Sequence, residues 1–216
     1  MPPSGLIRVL LVDDHAVVRE GYKRLLESDK TIVVTGEAGS GQDAYRLFAE
    51  QQPDVVVMDI SLPGMSGIEI MRRMLIRAPE AKVLIFSMHE DDVFASRALQ
   101  AGARGYITKS SAPEVLVEAV QAVAHDQLYI DRDITRKLAV QRRGSENALK
   151  LLSAREFEVF RLLAIGHSVT EISETLNLNW KTVANYQSIV KQKLGVESTV
   201  QLARIALSHG LIGNRS

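Results

Sequence analysis

The sequence predicts a two-part fold, in which an α/β domain with a five-stranded parallel sheet precedes an all-α domain of four short helices. In residues 1–125, short runs rich in β-branched residues alternate with segments of helical periodicity, a pattern typical of parallel strands covered by helices. From residue 148 onward only helical signals occur. We therefore predict domains at 1–125 and 148–216, joined by a linker at 126–147.

The first domain is predicted to contain five strand–helix units. Its strands are nearly continuous apolar runs, which favours burial of both faces of the sheet. Ligands of such folds bind beyond the carboxyl ends of the strands. The predicted strands are 7–12, 31–36, 54–58, 82–86 and 105–108, and the predicted helices are 16–28, 40–51, 67–77, 91–101 and 112–124.

The linker and the second domain differ in their periodicity. The linker is polar, and we predict in it a short helix at 131–141, started by Asp131, and a flexible stretch at 142–147. Beyond it, two capping boxes indicate helix starts. The signals of the second domain are the boxes at 153–156 and 168–171, a helix Trp180–Leu194 ended by Gly195, and a last helix opened by Ser198 and stopped at Gly210.

The composition is typical of a folded protein without disulfides or thiolate metal sites. The chain has 216 residues, 46% of them hydrophobic and 24% charged, and no cysteine. No apolar run reaches the roughly 20 residues of a membrane helix, and the N-terminus lacks the features of a signal peptide. We therefore expect a cytoplasmic protein without a membrane partner.

The net charge is zero, but it is unevenly distributed along the chain. Residues 1–125 carry 13 basic and 17 acidic side chains, a net charge of −4, and residues 148–216 carry 8 basic and 5 acidic side chains, a net charge of +3. This asymmetry suggests that the two domains have different partners.

Three acidic side chains lie where predicted strands end. Asp13 and Asp14 follow the first strand, and Asp59 follows the third. The first and third strands are neighbours in a doubly wound sheet, so these carboxylates should meet and repel one another unless a cation is present. Oxygen ligands favour a hard ion such as Mg²⁺, which keeps positions open for phosphate oxygens. The pattern predicts a phosphoryl-transfer site in which a carboxylate attacks phosphorus.

Two further polar residues follow the ends of other strands. Lys109 comes after the fifth strand and can pair with an anionic phosphoryl group, and Ser87 comes after the fourth and can donate a hydrogen bond to it. Taken singly, a strand-end Asp is as often a helix cap or an Asx turn, and a lone Lys or Ser is usually a surface residue. The agreement among several strand ends favours a common site.

Four motifs carry a resemblance to a known family: VDDH, VVVMDISLPGMSG, FSM and GYITKS. Over about residues 6–125 they resemble the receiver domain of bacterial two-component response regulators, which has a flavodoxin-like (βα)5 fold. The resemblance implies that Asp59 is the phosphoacceptor for a sensor histidine kinase. It also implies that Asp14, Asp59 and the Ser61 carbonyl bind Mg²⁺ directly, with Asp13 acting through water.

The same resemblance implies a contact and a switch. Lys109 would contact the phosphoryl group. Ser87 and Tyr106 would form the switch, in which the hydroxyl turns toward the phosphoryl oxygens as the aromatic ring moves inward. Many members carry Thr at the position of Ser87, and the hydroxyl is retained here.

A phosphatase of the haloacid dehalogenase type is an alternative, because such enzymes also use a strand-end Asp with Mg²⁺. They need a second acid two residues further on, and this chain has Ser61 at that position. We therefore expect a protein that is not an enzyme in the ordinary sense. Its site would catalyse only its own phosphoryl transfer and a slow autodephosphorylation.

The second domain has the spacing of a helix-turn-helix, with a three-residue break before the helix Trp180–Leu194. Spacing alone is weak evidence, because any small bundle has two helices joined by a short turn. Residues 149–212 resemble the LuxR-type DNA-binding domain, and the pairing with a receiver resembles the NarL/FixJ family of response regulators. This implies that the helix Trp180–Leu194 enters the major groove of promoter DNA. Candidate phosphate contacts are Lys181, Thr182, Tyr186, Lys191 and Lys193, and candidate base contacts are Asn185, Gln187 and Ser188.

This sequence departs from the family pattern in having fewer cations. Ala184 and Ser188 stand where Lys is common, which predicts weaker phosphate binding by each monomer. High affinity would then depend on a homodimer, formed on phosphorylation or on DNA binding, and on Asn185 and Gln187. The only tryptophan, Trp180, is expected to pack in the bundle or to donate to a phosphate.

Two questions about the second domain stay open at this level. The apolar stripe of the last helix is a candidate dimer surface by family analogy, or simply core. The low basic charge also permits an alternative, a phosphorelay protein whose helical bundle binds a protein and not DNA. The stripe consists of Val200, Leu202, Ala203, Ile205 and Ala206.

Overall fold

The structure, a computed structural model, describes residues 5–140, 149–208 and 211–212. The chain divides into two structural units, Met1–Val140 and Gln141–Ser216. None of the helices in the described ranges has the length and apolar content that a membrane span requires.

The first unit is a parallel sheet with helices between its strands. The order of the strands is β2-β1-β3-β4-β5-β6. Its strands are β1 (Ile7–Val12), β2 (Ile32–Ala38), β3 (Val55–Met58), β4 (Val83–Ser87), β5 (Gly105–Thr108) and β6 (Tyr129–Ile130), and its helices are α1 (Ala16–Ser28), α2 (Gly41–Gln51), α3 (Gly67–Arg77), α4 (Asp92–Gln100), α5 (Pro113–Ala124) and α6 (Arg132–Val140).

The predicted neighbourhood of the first and third strands is confirmed. β1 and β3 pair in parallel, with Val12 opposite Met58 at the end that leads into the acidic residues. The central strands are buried along their whole length because both faces of the sheet carry helices. Burial of these apolar strands fixes their register and therefore the positions of the polar residues that follow them.

The prediction of five strands is wrong, because the sheet has a sixth. Tyr129 and Ile130 pair in parallel with Gly105 and Tyr106 of β5, so part of the predicted linker belongs to the sheet. A two-residue strand is too short to show a period of two, and the polar residues around it indicate a loop. After it, Asp131 accepts a hydrogen bond from Asp133 N at 2.9 Å and begins α6, as predicted. The predicted flexible stretch 142–147 lies outside the described residues.

The second unit is helical, as predicted. Both predicted capping boxes are present: Ser153 pairs with Glu156, and Ser168 pairs with Glu171. The predicted stop at Gly210 lies outside the described residues. The elements are a short 3-10 helix (Leu149–Leu151) and the helices α7 (Ala154–Ile165), α8 (Val169–Thr175), α9 (Trp180–Leu194) and α10 (Thr199–Ser208).

The core of the second unit explains part of the apolar stripe on α10. Of the predicted stripe, Leu202 and Ala206 are fully buried, Ala203 and Ile205 are half-buried, and Val200 is exposed. The stripe is therefore divided between a core row and an outer row. The use of the stripe as a dimer surface stays a prediction.

Candidate functional site

Four strand ends converge on one edge of the sheet. Backbone hydrogen bonds continue the ladder past the strands: Asp13 N donates to Ala38 O at 3.0 Å and Asp59 N donates to Val12 O at 2.9 Å. On the other side, Lys109 N donates to Ser87 O at 2.8 Å. These bonds bring Asp13, Asp59, Ser87 and Lys109 to the same rim, as the sequence predicted.

A single ammonium group joins the two buried carboxylates. Lys109 Nζ lies 2.6 Å from Asp13 Oδ2 and 2.6 Å from Asp59 Oδ2. The exposed fractions of the three side chains are 6%, 3% and 5%. The remaining oxygens of the acids accept backbone hydrogen bonds, from His15 N to Asp13 Oδ1 at 2.9 Å and from Ser61 N to Asp59 Oδ1 at 3.3 Å. The geometry is therefore fixed on both sides of each carboxylate.

The electrostatics of this cluster make Asp59 a basic carboxylate. Burial raises the pKa of Asp59, and the like charge of Asp13 adds to this, while Lys109 opposes it. Burial lowers the pKa of Lys109, but the two carboxylates outweigh that effect and raise it overall, so its ammonium stays charged. Two acids thus compete for one buried cation.

A third acid completes the anionic cluster. The Asp14 side chain is 22% exposed, and His15 Nδ1 lies 2.8 Å from its Oδ1. The ligand atoms of Asp13, Asp14 and His15 lie within 4.8 Å of one another. Among the described residues, the group of side chains close enough to share one metal ion includes Asp13 and Asp14 but not Asp59. The oxygen donors of Asp13 and Asp14 are of the kind that a hard divalent cation such as Mg²⁺ prefers.

The predicted switch residues both meet the backbone of His89. The Ser87 hydroxyl is fully buried and accepts from His89 N at 3.2 Å. Tyr106 is also fully buried, and its hydroxyl donates to the His89 carbonyl at 2.7 Å. The Tyr106 ring therefore occupies an inward position in this structure.

Sequence reasoning gave no role to the histidines, and the structure places His89 beside the site. Its Nε2 is hydrogen-bonded to Ser61 Oγ at 3.1 Å, and its ring stacks on Phe94 with centroids 4.0 Å apart. The signal available in the sequence was its spacing, two residues after Ser87. Gly67 was also missed. A Cβ there would lie 1.9 Å from the Asp59 carbonyl oxygen, so only glycine lets α3 start against the acid.

In the second unit, α9 presents one buried and one exposed face. Asn179 caps the helix by accepting from Lys181 N at 2.9 Å. Val183 and Val190 are fully buried. Of the predicted DNA contacts, the exposed residues are Lys181, Thr182, Asn185, Ser188 and Lys193, and the half-buried residues are Tyr186, Gln187 and Lys191.

Two of these predicted contacts are engaged within the unit. Lys193 Nζ lies 2.9 Å and 2.6 Å from the two carboxylate oxygens of Glu156. Ser188 Oγ donates to Ala184 O at 3.1 Å, which leaves its lone pairs accessible but engages its proton. A phosphate contact by Lys193 would have to replace an existing ion pair.

An acidic rim on a doubly wound sheet, followed in the chain by a bundle that contains a helix-turn-helix, defines the response-regulator class of signalling protein. Residues 9–121 match the family model of the response regulator receiver domain, and residues 150–206 match that of bacterial regulatory proteins of the luxR family. The chain belongs to the NarL/FixJ family of response regulators, with a receiver domain and a LuxR-type DNA-binding domain.

The similarity to known relatives extends over nearly the whole chain. The response regulator UvrY of Escherichia coli (strain K12) is 38% identical, over 95% of this chain and 96% of that protein. The response regulator GacA of Pseudomonas aeruginosa is 39% identical, over 96% of this chain and 98% of that protein. A structure of RcsB from Salmonella enterica serovar Typhimurium, bound to promoter P1flhDC in the presence of phosphomimetic BeF3-, is 28% identical with a TM-score of 0.63, and the match covers 95% of this chain and 98% of RcsB.

Proposed function

We propose that this protein accepts a phosphoryl group from a sensor histidine kinase on Asp59 and, as a phosphorylation-controlled dimer, binds promoter DNA in the cytoplasm. The observation that carries the proposal is the Lys109 ammonium, held 2.6 Å from both Asp13 and Asp59 in a buried site. Domain boundaries at 125 and 148 remain part of the proposal. They leave β6 and α6 in the segment between the two domains.

The proposed chemistry is nucleophilic attack by one carboxylate oxygen of Asp59 on the phosphorus of a phosphohistidine. The new O–P bond forms as the P–N bond breaks, and the departing imidazole nitrogen takes up a proton from solvent. The raised pKa of Asp59 favours attack, because a more basic carboxylate is a better nucleophile. The Lys109 ammonium would pair with the phosphoryl oxygens and stabilise the negative charge that develops on them.

We assign a Mg²⁺ ion to Asp14, Asp59 and the Ser61 carbonyl, with Asp13 acting through water; the close grouping of Asp13 and Asp14 supports a cation site at this end of the sheet. The ion would neutralise part of the charge on the phosphoryl oxygens. Because Ser61 is not an acid, the chain lacks the general acid of a phosphatase at that position. We therefore propose that the acyl phosphate persists and that autodephosphorylation is slow.

The proposed output path runs from the loops beside Asp59 to α6. Ser87 would turn toward the phosphoryl group. The predicted inward movement of the Tyr106 ring would not be needed, because the ring is already fully buried in this structure. Lys137 of α6 donates to the Glu90 carbonyl at 2.8 Å, and Ser110 donates to the Glu90 carboxylate at 2.7 Å. The loops that follow Ser87 and Lys109 are thus bonded to each other and to α6, which precedes the second unit in the chain. A shift of these loops on phosphorylation would move α6.

The phosphoacceptor is tested by phosphorylation with a small phosphodonor such as phosphoramidate in Mg²⁺, followed by mobility-shift electrophoresis. Wild-type protein should become phosphorylated, and Asp59→Asn should not. Asp133→Asn, which changes an acid with a 77% exposed side chain, is the control and should behave as wild type. Equal phosphorylation of Asp59→Asn and the control would reject the assignment.

DNA binding is tested by fluorescence anisotropy with labelled duplex DNA over a series of salt concentrations. Phosphorylated protein should bind more tightly than unphosphorylated protein, and affinity should fall as salt rises. Asn185→Ala combined with Gln187→Ala should change the sequence preference, and an unchanged preference would reject their role as base contacts. Absence of any salt-dependent binding would favour the alternative, in which the bundle binds a protein.

A further inference from the structure

The first residue of α9 is an exposed tryptophan. Trp180 is the only tryptophan of the chain, and 57% of its surface is exposed. A large aromatic side chain usually buries most of its surface. The exposed indole at the start of α9, the second helix of the helix-turn-helix, is therefore a candidate contact for a binding partner. Packing against the rest of the second unit, one of the two roles expected for Trp180, therefore buries less than half of its surface.

The position of Trp180 on the helix places it at the border of the exposed face. Residues spaced by 4 and 11 along a helix share a row, so Trp180 lies in line with Ala184 and Lys191. This row runs between the buried Val183 and Val190 and the exposed face that carries Asn185. A long side chain at this border can contact groups that lie beside the exposed face of α9, and not only groups directly opposite it.

Two neighbours set the chemistry around the indole. Ala184, one turn further on, has only a methyl side chain and adds no polar group or charge. Lys181 Nζ lies 5.7 Å from the ring centroid, which is cation–π range, so a positive charge accompanies the ring. The pair offers an apolar plane, one N–H donor and one cation.

We propose that Trp180 is a contact residue for the sugar–phosphate backbone of duplex DNA. Its Nε1–H donates to a phosphate oxygen, and its ring packs on the adjoining deoxyribose. The indole has a donor and no acceptor, which suits phosphate and gives no base discrimination. This contact offsets the cation that Ala184 does not supply. The inference rests on the proposed DNA-binding function and adds a residue to it.

The salt dependence of DNA affinity distinguishes the uncharged Trp180 contact from a contact by the neighbouring Lys181. Each cation that neutralises a phosphate contributes about 0.9 to the slope of log affinity against log salt, and an indole contributes nothing. Trp180→Ala is expected to weaken binding by about 5- to 10-fold at every salt concentration, the loss of one hydrogen bond with its packing. Lys181→Met is expected to weaken binding and to reduce the slope by about one.

The experiment uses the full-length phosphorylated protein and fluorescein-labelled duplex DNA, with anisotropy as the measure of affinity. Trp180→Phe keeps a ring and removes the donor, and should fall between wild type and Trp180→Ala. Far-UV circular dichroism checks that each variant is folded. In wild type, tryptophan emission must change on addition of unlabelled DNA, and it reports this residue alone because there is no other tryptophan.

The possible outcomes separate the two proposals. If wild type binds the labelled DNA while its tryptophan emission stays constant and Trp180→Ala retains full affinity, the contact is rejected and DNA binding stands. A lower salt slope in Trp180→Ala also rejects it, because the effect would then come from displaced cations. If wild type binds no duplex DNA at any salt concentration, the proposed function fails, and this contact fails with it.

Discussion

Replacing Lys109 with Met should destabilise the first unit, because it removes the ammonium group that lies between two buried carboxylates. Asp13 and Asp59 have side chains that are 3% and 5% exposed, and each lies 2.6 Å from the ammonium. Methionine has a similar length and no charge. The variant therefore leaves two buried anions facing each other without compensation.

The magnitude follows from these distances and from burial. At an effective dielectric constant of about 20, unit charges at the 2.6 Å separation seen here attract by about 6 kcal/mol, and desolvation consumes much of that gain. Removing one partner from a buried pair typically costs about 3–5 kcal/mol. With a urea dependence of about 2 kcal/mol per molar, the unfolding midpoint of the first unit should fall by about 2 M.

The measurement is urea unfolding followed by far-UV circular dichroism in EDTA, fitted with one transition for each unit. Trp180 lies in the second unit, so its fluorescence follows that unit and should report an unchanged midpoint. The control is Lys23→Met, which removes a half-exposed ion pair with Glu37 and should cost less than about 1 kcal/mol.

Two conditions that restore the stability of Lys109→Met would show that the loss of stability comes from buried charge. Stability of Lys109→Met should return as pH falls, because protonation discharges the buried acids, and it should return when Asp13→Asn is added. Mg²⁺ should stabilise the variant more than it stabilises wild type. If Lys109→Met unfolds at the same urea concentration as Lys23→Met, or is equally destabilised at acidic and neutral pH, the charge argument is wrong.

Asp59→Asn should be more stable than wild type at pH 7 in EDTA. Burial raises the pKa of Asp59, so its contribution to folding stability is complete below the ordinary pKa of 3.8 and is lost as pH rises through the raised pKa. Asparagine has no such loss, because it stays neutral at every pH. The difference in unfolding free energy between the two proteins, measured by urea unfolding, must therefore vanish at acidic pH. Gly67→Ala should slow phosphorylation by about 100-fold, since its Cβ would displace the Asp59 backbone, whereas Gly21→Ala, with no atom within 4 Å of the added Cβ, should phosphorylate normally. Lys137→Met should leave phosphorylation unchanged and reduce the gain in DNA affinity on phosphorylation by about 2- to 10-fold, because its hydrogen bond to the β4–α4 loop is lost; Arg136→Met, at a site 80% exposed, should retain the full gain.

The sequence predicted those parts of the structure that depend on local pattern. Asp59 and Lys109 directly follow buried apolar strands. A charged side chain at such a position lies where the strand leaves the sheet, so the strand ends alone indicated these residues of the rim. The capping boxes at Ser153 and Ser168 were predictable for the same reason, since one helical turn contains both partners.

Features that depend on tertiary contacts were not predictable in this way. β6 forms because its two residues lie beside the open edge of β5, which no short-range pattern reveals. The pairing of Lys193 with Glu156 joins residues on different helices and changes a candidate phosphate contact into an internal ion pair. His89 is similar, because its bond to Ser61 spans two loops.

The same charge crowding that costs stability at the rim can supply the free energy for switching. Because Asp13 and Asp59 share one lysine, the attraction of Lys109 is divided between two buried acids. The phosphoryl group proposed for Asp59 would add a charge of about −1.5 to −2 and strong acceptor oxygens, so the Lys109 ammonium and the Ser87 hydroxyl would each gain a stronger hydrogen-bond partner. Each of these residues begins a loop bonded to Glu90, and through it to α6. In the proposed mechanism, a local rearrangement of one ion pair would thereby be coupled to the helix that precedes the second unit in the chain.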